Sequence, residues 1–170
     1  ADDLSYTVSN AANVTTSNTT SESSPNSLRL ASTSFIEFEN MDISSYPNVS
    51  VKVSFKATNI NKDKDLHLGI SYDGGTTYNF TKLIDGDNPV ENIDWSFPDT
   101  DGTTTKNPYT FYVPAGNNQI RIAIQALNLG NNEFFYVDNI IVKGDKYCFS
   151  YGDNIDGYNT GIRLVNFNTI

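Results

Sequence analysis

Asp138 is the residue whose surroundings most clearly demand chemistry, because it follows the letters FFYV and precedes NII in the sequence. A charge among apolar strand residues is costly unless it has a partner, a cation or solvent. Calcium takes hard oxygen ligands from several chain segments. We therefore expect a structural Ca²⁺ site at Asp138, with Glu22 and Asn26 of an early polar loop as further ligands. The alternative is that Asp138 caps a strand end or pairs with Lys143 or Arg29.

A second candidate site is a set of polar side chains that share one strand phase. Lys52 and Lys56 alternate with valines and a phenylalanine on one predicted strand, and His67, Arg121 and Gln125 have the same outward phase on two later strands. If these strands share a sheet, its outer face is a basic strip. Such a strip suits an extended ligand, above all an anionic sugar chain held by charge-assisted hydrogen bonds. An ordinary solvated sheet face is the alternative.

Aromatic residues on loops are a third group of candidates, because sugars present C–H-rich faces that stack on exposed rings. Trp95 and Tyr78 are the aromatic residues that we expect to contact such a ligand. A lid over one end of the core is the alternative for Trp95.

Catalytic chemistry has little support in the sequence. No serine-nucleophile, zinc or phosphate-loop motif is present, His67 is the single histidine, and no base is marked beside the single cysteine, Cys148. We expect a protein that is not an enzyme.

The elements that must position these residues are strands. Period-two alternation recurs along the chain, turn residues separate the segments, and helical periodicity is missing. The pattern predicts an all-β fold, a two-sheet antiparallel β-sandwich (jelly roll), in which the last two strands form a hairpin through Leu129–Asn132. The predicted strands are Ser27–Leu30, Phe35–Glu39, Asn48–Asn59, Asp65–Tyr72, Thr76–Leu83, Pro108–Val113, Gln119–Leu127 and Phe134–Val142, with loops over Asn10–Asn26 and Ile84–Asn107.

Composition narrows the possible partners. The 170 residues carry a formal net charge of −9, and only 18% of them are charged. An acidic balance argues against nucleic acid and against a polybasic membrane anchor. No apolar run reaches the length of a membrane-spanning helix. We expect one sandwich module over residues 1–144, followed at 145–170 by a linker or by the opening strand of a next module.

Several short segments resemble galactose-binding-like jelly rolls. These are accessory domains of secreted bacterial proteins, and they include carbohydrate-binding modules, cleaved-adhesin domains and MAM-like domains. The tail, beginning with Tyr147-Cys148-Phe149-Ser150, resembles the opening of a GEVED-type segment. The segments that carry the main resemblance are Ser27–Leu30, Ile36–Phe38, Met41–Tyr46, Ser71–Gly75 and Phe135–Ile140.

The resemblance implies a function and also a role for Asp138, since many such domains bind structural calcium through an aspartate of the last strand. It implies a non-catalytic carbohydrate-binding module of a secreted or cell-surface bacterial protein that degrades polysaccharide, with covalently linked neighbouring domains. The alternative is a cell-surface adhesion or protease-accessory module that binds protein. A small lyase or glycosidase using His67 with a tyrosine and a lysine is a third hypothesis.

Overall fold

The computed structural model of the chain describes residues 5–9, 11–23, 26–60, 63–86, 107–146 and 159–164. Two antiparallel sheets pack face to face, which confirms the predicted two-sheet β-sandwich. Within the described residues, no helix has the length and apolarity that crossing a bilayer requires.

Sheet A has β10 at its centre. Its spatial order is β1 (Tyr6–Ser9), β4 (Ser34–Phe38), β10 (Gln119–Leu127), β7 (Asp65–Ser71) and β8 (Asn79–Ile84), with β5 (Met41–Asp42) paired to the start of β10. All of these pairings are antiparallel.

Sheet B is built around a long strand, β11. Its spatial order is β2 (Val14–Ser17), β3 (Ser27–Leu30), β11 (Phe134–Lys146), β6 (Asn48–Thr58) and β9 (Tyr109–Tyr112). A further strand, β12 (Asn159–Leu164), pairs with residues 141–146 of β11, and a short 3-10 helix over Ala11–Asn13 precedes β2. The predicted module boundary at residue 144 thus lies within β11.

The core lies between the sheets and is formed by every second residue of the strands. In β6 and β10 every residue whose alternation predicted it to point inward is buried. Two small residues of the opposite phase, Ser54 and Ala123, are buried as well. Side chains of the opposite phase form the two outer faces of the sandwich. The inward set of these two strands is Val49, Val51, Val53, Phe55, Ala57, Ile120, Ile122, Ile124 and Ala126, each at most 5% exposed.

The predicted final hairpin is wrong. β10 pairs with strands of sheet A, and β11 pairs with strands of sheet B, so the turn between them crosses from one sheet to the other. Leu129 is buried in this connection, and Glu133 accepts a hydrogen bond from the amide of Gly130. Turn residues specify that the chain reverses direction, but they do not specify that the two flanking strands bond to each other.

Two further boundaries differ from the prediction. The early polar loop contains β2, because Val14 is buried and the β-branched residues that follow it pair with β3. β8 starts at Asn79 because Asp73 holds the preceding residues in a turn, accepting bonds from the Thr77 amide at 2.9 Å and hydroxyl at 2.6 Å. Gly74 (φ 75°) supplies the predicted positive φ of this turn.

Candidate ligand-binding face

The two sheets divide the predicted basic strip. Lys52 and Lys56 lie on β6 in sheet B, whereas His67 lies on β7 and Arg121 and Gln125 lie on β10 in sheet A. The outer faces of two packed sheets point in opposite directions. The structure therefore does not form one strip from these five residues. Strand phase predicts whether a side chain points outward, but it does not predict which sheet the strand joins.

The outer face of sheet A, here called face A, brings together the other three predicted residues and a group of aromatic rings. Strand register places Gln125 beside His67, and it places Ala123 beside Gly69. On the next strand, Lys82 lies opposite His67. The outward residues of face A are Phe35, Glu37, His67, Gly69, Phe80, Lys82, Arg121, Ala123 and Gln125, with Tyr78 at the start of β8.

Tyr78 and Phe80 form an aromatic platform on this face. Their ring centroids are 5.9 Å apart and their planes differ by 32°. A Cβ atom added to Gly69 would lie 2.7 Å from Cε1 of Phe80 and 3.2 Å from Cδ1 of Tyr78, so both rings lie close over this glycine. Phe35 packs edge-on against Tyr78 at 5.8 Å, while Phe80 remains 45% exposed. The result is an apolar surface of two tilted rings, which Gly69 supports from below and Phe35 from one side.

Glu37 links the platform to Arg121. The hydroxyl of Tyr78 donates to Oε1 of Glu37 at 2.5 Å, and Nη1 of Arg121 lies 3.5 Å from the same oxygen. Burial, followed by the hydrogen bond to Glu37, raises the pKa of Tyr78 well above its usual range. Tyr78 therefore stays protonated and acts as a hydrogen-bond donor.

Arg121 also ties two backbone segments together. Its Nε donates to the carbonyl of Phe38 at 2.8 Å, and its Nη1 donates to the carbonyl of Gly74 at 3.0 Å. Gly75 leaves room for this side chain, because a Cβ there would lie 2.8 Å from Nη1, and its φ of 98° also favours glycine. Arg121 thus fixes the β7–β8 turn, and with it the start of β8, against β4.

Carboxylates also surround the second cation of face A. Nζ of Lys82 lies 3.2 Å from Asp65 and 3.2 Å from Asp85, and hydrogen bonds to both raise the pKa of Lys82. The ring of His67 lies 6.0 Å from that of Phe80. Burial lowers the pKa of His67, so this imidazole is neutral at pH 7.

Phe80 was not among the residues predicted from sequence, although the sequence contains a signal for it. Phe80 and Lys82 alternate with Thr81 and Leu83, and Leu83 is fully buried, so the phase of the strand places Phe80 outward. Tyr78, which was predicted, lies on the platform. Trp95 lies outside the described residues.

Asp138 lies on the opposite side of the sandwich, at an irregularity in β11. Strand register shifts between Asp138 and Ile141, and Asn139 adopts a φ of 48°. The carboxylate is 2% exposed. It accepts hydrogen bonds from the amides of Glu22 at 2.9 Å, Ser23 at 3.0 Å and Asn139 at 2.7 Å, and from the Ser23 hydroxyl at 3.1 Å. We call this arrangement the Asp138 latch.

The latch accounts for the buried charge without a cation. An ionised carboxylate has about four lone-pair sites, and four donors point at the oxygens of Asp138. Glu22 contributes mainly its amide, while its carboxylate accepts a bond from the Asn139 side chain at 3.0 Å. Asn26 is half-buried directly before β3. No cluster of three or more metal-binding side chains of the His, Cys, Asp and Glu types occurs among the described residues. This donor set does not by itself fit calcium, and calcium binding stays a prediction.

The outer face of sheet B, here called face B, carries the remaining predicted cations. Lys52 is exposed, and Lys56 lies opposite Tyr136 in the register of β6 and β11. The guanidinium of Arg29 lies 3.7 Å from the centre of the Phe134 ring, a cation–π contact. At the edge of this face, Tyr112 on β9 is 77% exposed.

Comparison with known proteins finds structural likeness without sequence similarity. No family model matches the chain, and no curated protein is significantly similar to it. The carbohydrate-binding module TmCBM61, in complex with β-1,4-galactotriose, is 9% identical with a TM-score of 0.48, over 81% of this chain and 86% of that one. The K3 cleaved-adhesin domain of Lys-gingipain from Porphyromonas gingivalis w83 is 9% identical with a TM-score of 0.42, over 81% and 90%. A family 16 carbohydrate-binding module is 15% identical with a TM-score of 0.41, over 76% and 84%. At these values, function has to be argued from the residues of this chain.

Proposed function

We propose that this chain is a non-catalytic carbohydrate-binding module that binds polysaccharide on face A. The observation that carries the proposal is the aromatic platform, where Phe80 is 45% exposed beside Tyr78 on an otherwise polar sheet face. Such a pair of rings buries the C–H-rich face of a sugar and excludes water from it, while neighbouring polar groups bond its hydroxyls.

Side chains beside the platform can form the hydrogen bonds to the sugar hydroxyls. Gln125 lies on the strand at the centre of sheet A and is half-buried, so its amide can both donate to and accept from a sugar hydroxyl. It lies beside His67 in the strand register and interacts with that side chain. Two groups that carry no net charge at neutral pH therefore lie beside the rings.

The platform bears on the choice between sugar binding and the adhesion alternative. A sugar ligand needs a stacking surface of this kind. Phe80 and Tyr78 supply that surface next to the Arg121–Glu37 pair. Aromatic residues are also enriched at protein interfaces, so binding to polysaccharide, and not the platform alone, separates the two hypotheses.

Face A also offers little to the lyase hypothesis. A lyase base must lose its proton near the working pH, whereas burial and the bond to Glu37 raise the pKa of Tyr78. Lys82 is engaged by two carboxylates and its pKa is also raised. Tyr78 and Lys82 are therefore held as hydrogen-bond donors rather than as bases. His67 is neutral at pH 7 and keeps a basic nitrogen, so Tyr78 and Lys82 are the two groups that disfavour a lyase.

Other parts of the proposal rest on the sequence and on the family resemblance. They are secretion or cell-surface location, covalent linkage to the other domains of a bacterial polysaccharide-degrading protein, and a structural Ca²⁺ near Asp138. The absence of nucleic acid and membrane partners follows from the acidic composition. Each of these is a prediction for the full-length protein.

Affinity electrophoresis against galactan, xylan, mannan and β-glucan tests the proposal. We expect at least one polymer to retard the wild-type protein and Phe80→Ala to abolish most of that retardation, since an exposed ring contributes about 2 kcal/mol, or roughly thirtyfold in Kd. Tyr112→Ala is the matched control, because it removes a more exposed ring from face B. Equal losses from both variants, or no retardation by any polysaccharide, would overturn the proposal.

A further inference from the structure

We infer that face A selects an uncharged polysaccharide, and that its cations position the site instead of contacting the ligand. This inference rests on the proposed function and names its substrate class. It differs from the anionic glycan expected from the sequence, because that expectation required Lys52, Lys56, His67 and Arg121 to lie on one face.

Arg121 has two of its three guanidinium nitrogens engaged inside the protein. Its Nε bonds the carbonyl of Phe38, its Nη1 bonds that of Gly74, and its charge faces the carboxylate of Glu37. A sulfate or uronate on the ligand would have to compete with these partners. Because two of them are backbone carbonyls, such competition would also release the turn that leads to Tyr78 and Phe80.

Lys82 is neutralised to a greater extent. One ammonium group lies 3.2 Å from each of two carboxylates, Asp65 and Asp85. A cation that already faces two negative charges has little attraction left for a third, since opposing fields cancel at such short range. His67, which is neutral at pH 7, adds no positive charge to the face.

The charges of these ion pairs therefore sum to −1. Lys82 and Arg121 are the two cations in these ion pairs, whereas Glu37, Asp65 and Asp85 are the three carboxylates. A polyanion laid across the rings would approach the surplus carboxylate and would lose its own hydration. A neutral glycan meets the same rings without this cost.

A matched pair of polymers tests the inference. A neutral polysaccharide that retards the protein is compared with the same polymer after chemical sulfation, both measured by isothermal titration calorimetry. We expect the sulfated form to bind at least about tenfold more weakly, and we expect Kd for the neutral form to change by less than about twofold between roughly 50 and 500 mM NaCl.

Glu37→Gln is a variant that should strengthen, and not weaken, the binding of the sulfated polymer. It removes the carboxylate that neutralises Arg121, so we expect a salt-dependent gain of about threefold or more for the sulfated polymer. Glu39→Gln is the control, because it removes the same charge from a residue whose carboxylate accepts a bond from Ser5. Thermal melting of both variants confirms that they are folded before binding is compared.

The outcomes separate this inference from the proposed function. Salt-dependent binding of the sulfated polymer by the wild type, abolished by Phe80→Ala, would overturn the neutral-ligand inference and leave carbohydrate binding intact. Retardation by none of the neutral polysaccharides and by none of their sulfated forms would overturn both. Tight binding of the neutral polymer, insensitive to salt, together with weak binding of its sulfated form, is the result that we expect.

Discussion

Both outer faces of the sandwich carry cations and aromatic rings, but they arrange them differently. On face A, Arg121 and Lys82 are paired with carboxylates, and the rings of Tyr78 and Phe80 lie side by side over a glycine. On face B, Arg29 covers the ring of Phe134, and Tyr112 stands alone at an edge. Counting residue types along a strand does not distinguish these arrangements. The difference lies in which partner each charged group meets across the neighbouring strand.

The largest expected effect is on stability, and it comes from Asp138, the buried carboxylate of face B. Asp138→Asn replaces an oxygen that accepts hydrogen bonds with an amide group that donates them, opposite the amides of Glu22 and Ser23. We expect a loss of about 3 kcal/mol in the free energy of unfolding, or roughly 6–12 °C in Tm. Asp145→Asn, which alters a less buried carboxylate of the same strand, is the control for the change in net charge. A Tm within about 2 °C of wild type would mean that the latch is unimportant.

The same melting experiment decides the role of calcium. A cation bound to the native state raises Tm by mass action, so a chelator should lower Tm if the predicted Ca²⁺ site exists. The hydrogen-bonded latch alone predicts the same Tm with Ca²⁺ and with chelator, and a large loss in Asp138→Asn under both conditions. A chelator effect that disappears in Asp138→Asn would instead confirm the predicted metal ligand.

The next effect should come from Gly69, beneath the platform of face A. Gly69→Val puts atoms where the Phe80 ring lies, since even a Cβ would come within 2.7 Å of Cε1. We expect about tenfold or greater weakening of glycan binding, because the rings must move to avoid the clash. The double variant with Phe80→Ala should bind no worse than Phe80→Ala alone. Independent, additive losses would show that Gly69 acts by another route.

A smaller effect on glycan binding should distinguish Arg121 from Lys52, two cations that the sequence predicted on one strip. Arg121→Ala frees the β7–β8 turn, and we expect about a fivefold to tenfold rise in Kd with no change in its salt dependence. Lys52→Ala, on face B, should leave Kd unchanged. A loss of salt dependence in Arg121→Ala would show that Arg121 contacts an anionic ligand directly.

The smallest effect should be the pH dependence of His67. Because burial lowers its pKa in the folded state, the unfolded chain takes up this proton first as the pH falls through about 6.5. Stability should therefore decrease on acidification below that pH and level off once the folded form is protonated as well. The groups around the imidazole are Asp65, Lys82, Asp85 and Gln125.

His67→Gln is the variant that isolates this proton. The decrease in stability between about pH 7 and pH 5 should be smaller in His67→Gln than in the wild type, as measured by urea unfolding at each pH. Identical pH profiles would show that other groups, and not His67, dominate the titration.

The sequence was sufficient to predict most of the strands and their phases, but not β2 or β5. Val51 and Ile122 point inward, and Lys52 and Arg121 point outward, as alternation requires. Sheet membership was not predictable in the same way, because β6 and β10 have identical periodicity and pair with strands that are distant in sequence. The predicted strip failed for that reason.

Partners of individual side chains were harder to predict than their direction. The sequence correctly predicted that Asp138 needs a bonding partner, and that this partner lies in the early loop that contains Glu22. However, the partners are mostly backbone amides, which every residue of that loop carries, so residue types give no signal for them. For Phe80, strand phase predicts that the ring points outward. Its place in the platform also depends on Gly69, eleven positions earlier, which leaves room for the ring.

The late position of β10 and β11 in the chain has a consequence for how this protein is made. β10 is bonded on both sides in sheet A, and β11 is bonded on both sides in sheet B. When the ribosome has synthesised only about the first hundred of these residues, neither sheet has its central strand. The Glu22 amide that bonds Asp138 is then already part of the chain, but Asp138 is not. Such long-range pairing is slow to form. The pairs β1–β4, β2–β3, β6–β9 and β7–β8 need neither of these strands, but each sheet joins its pairs only after its own central strand has been synthesised.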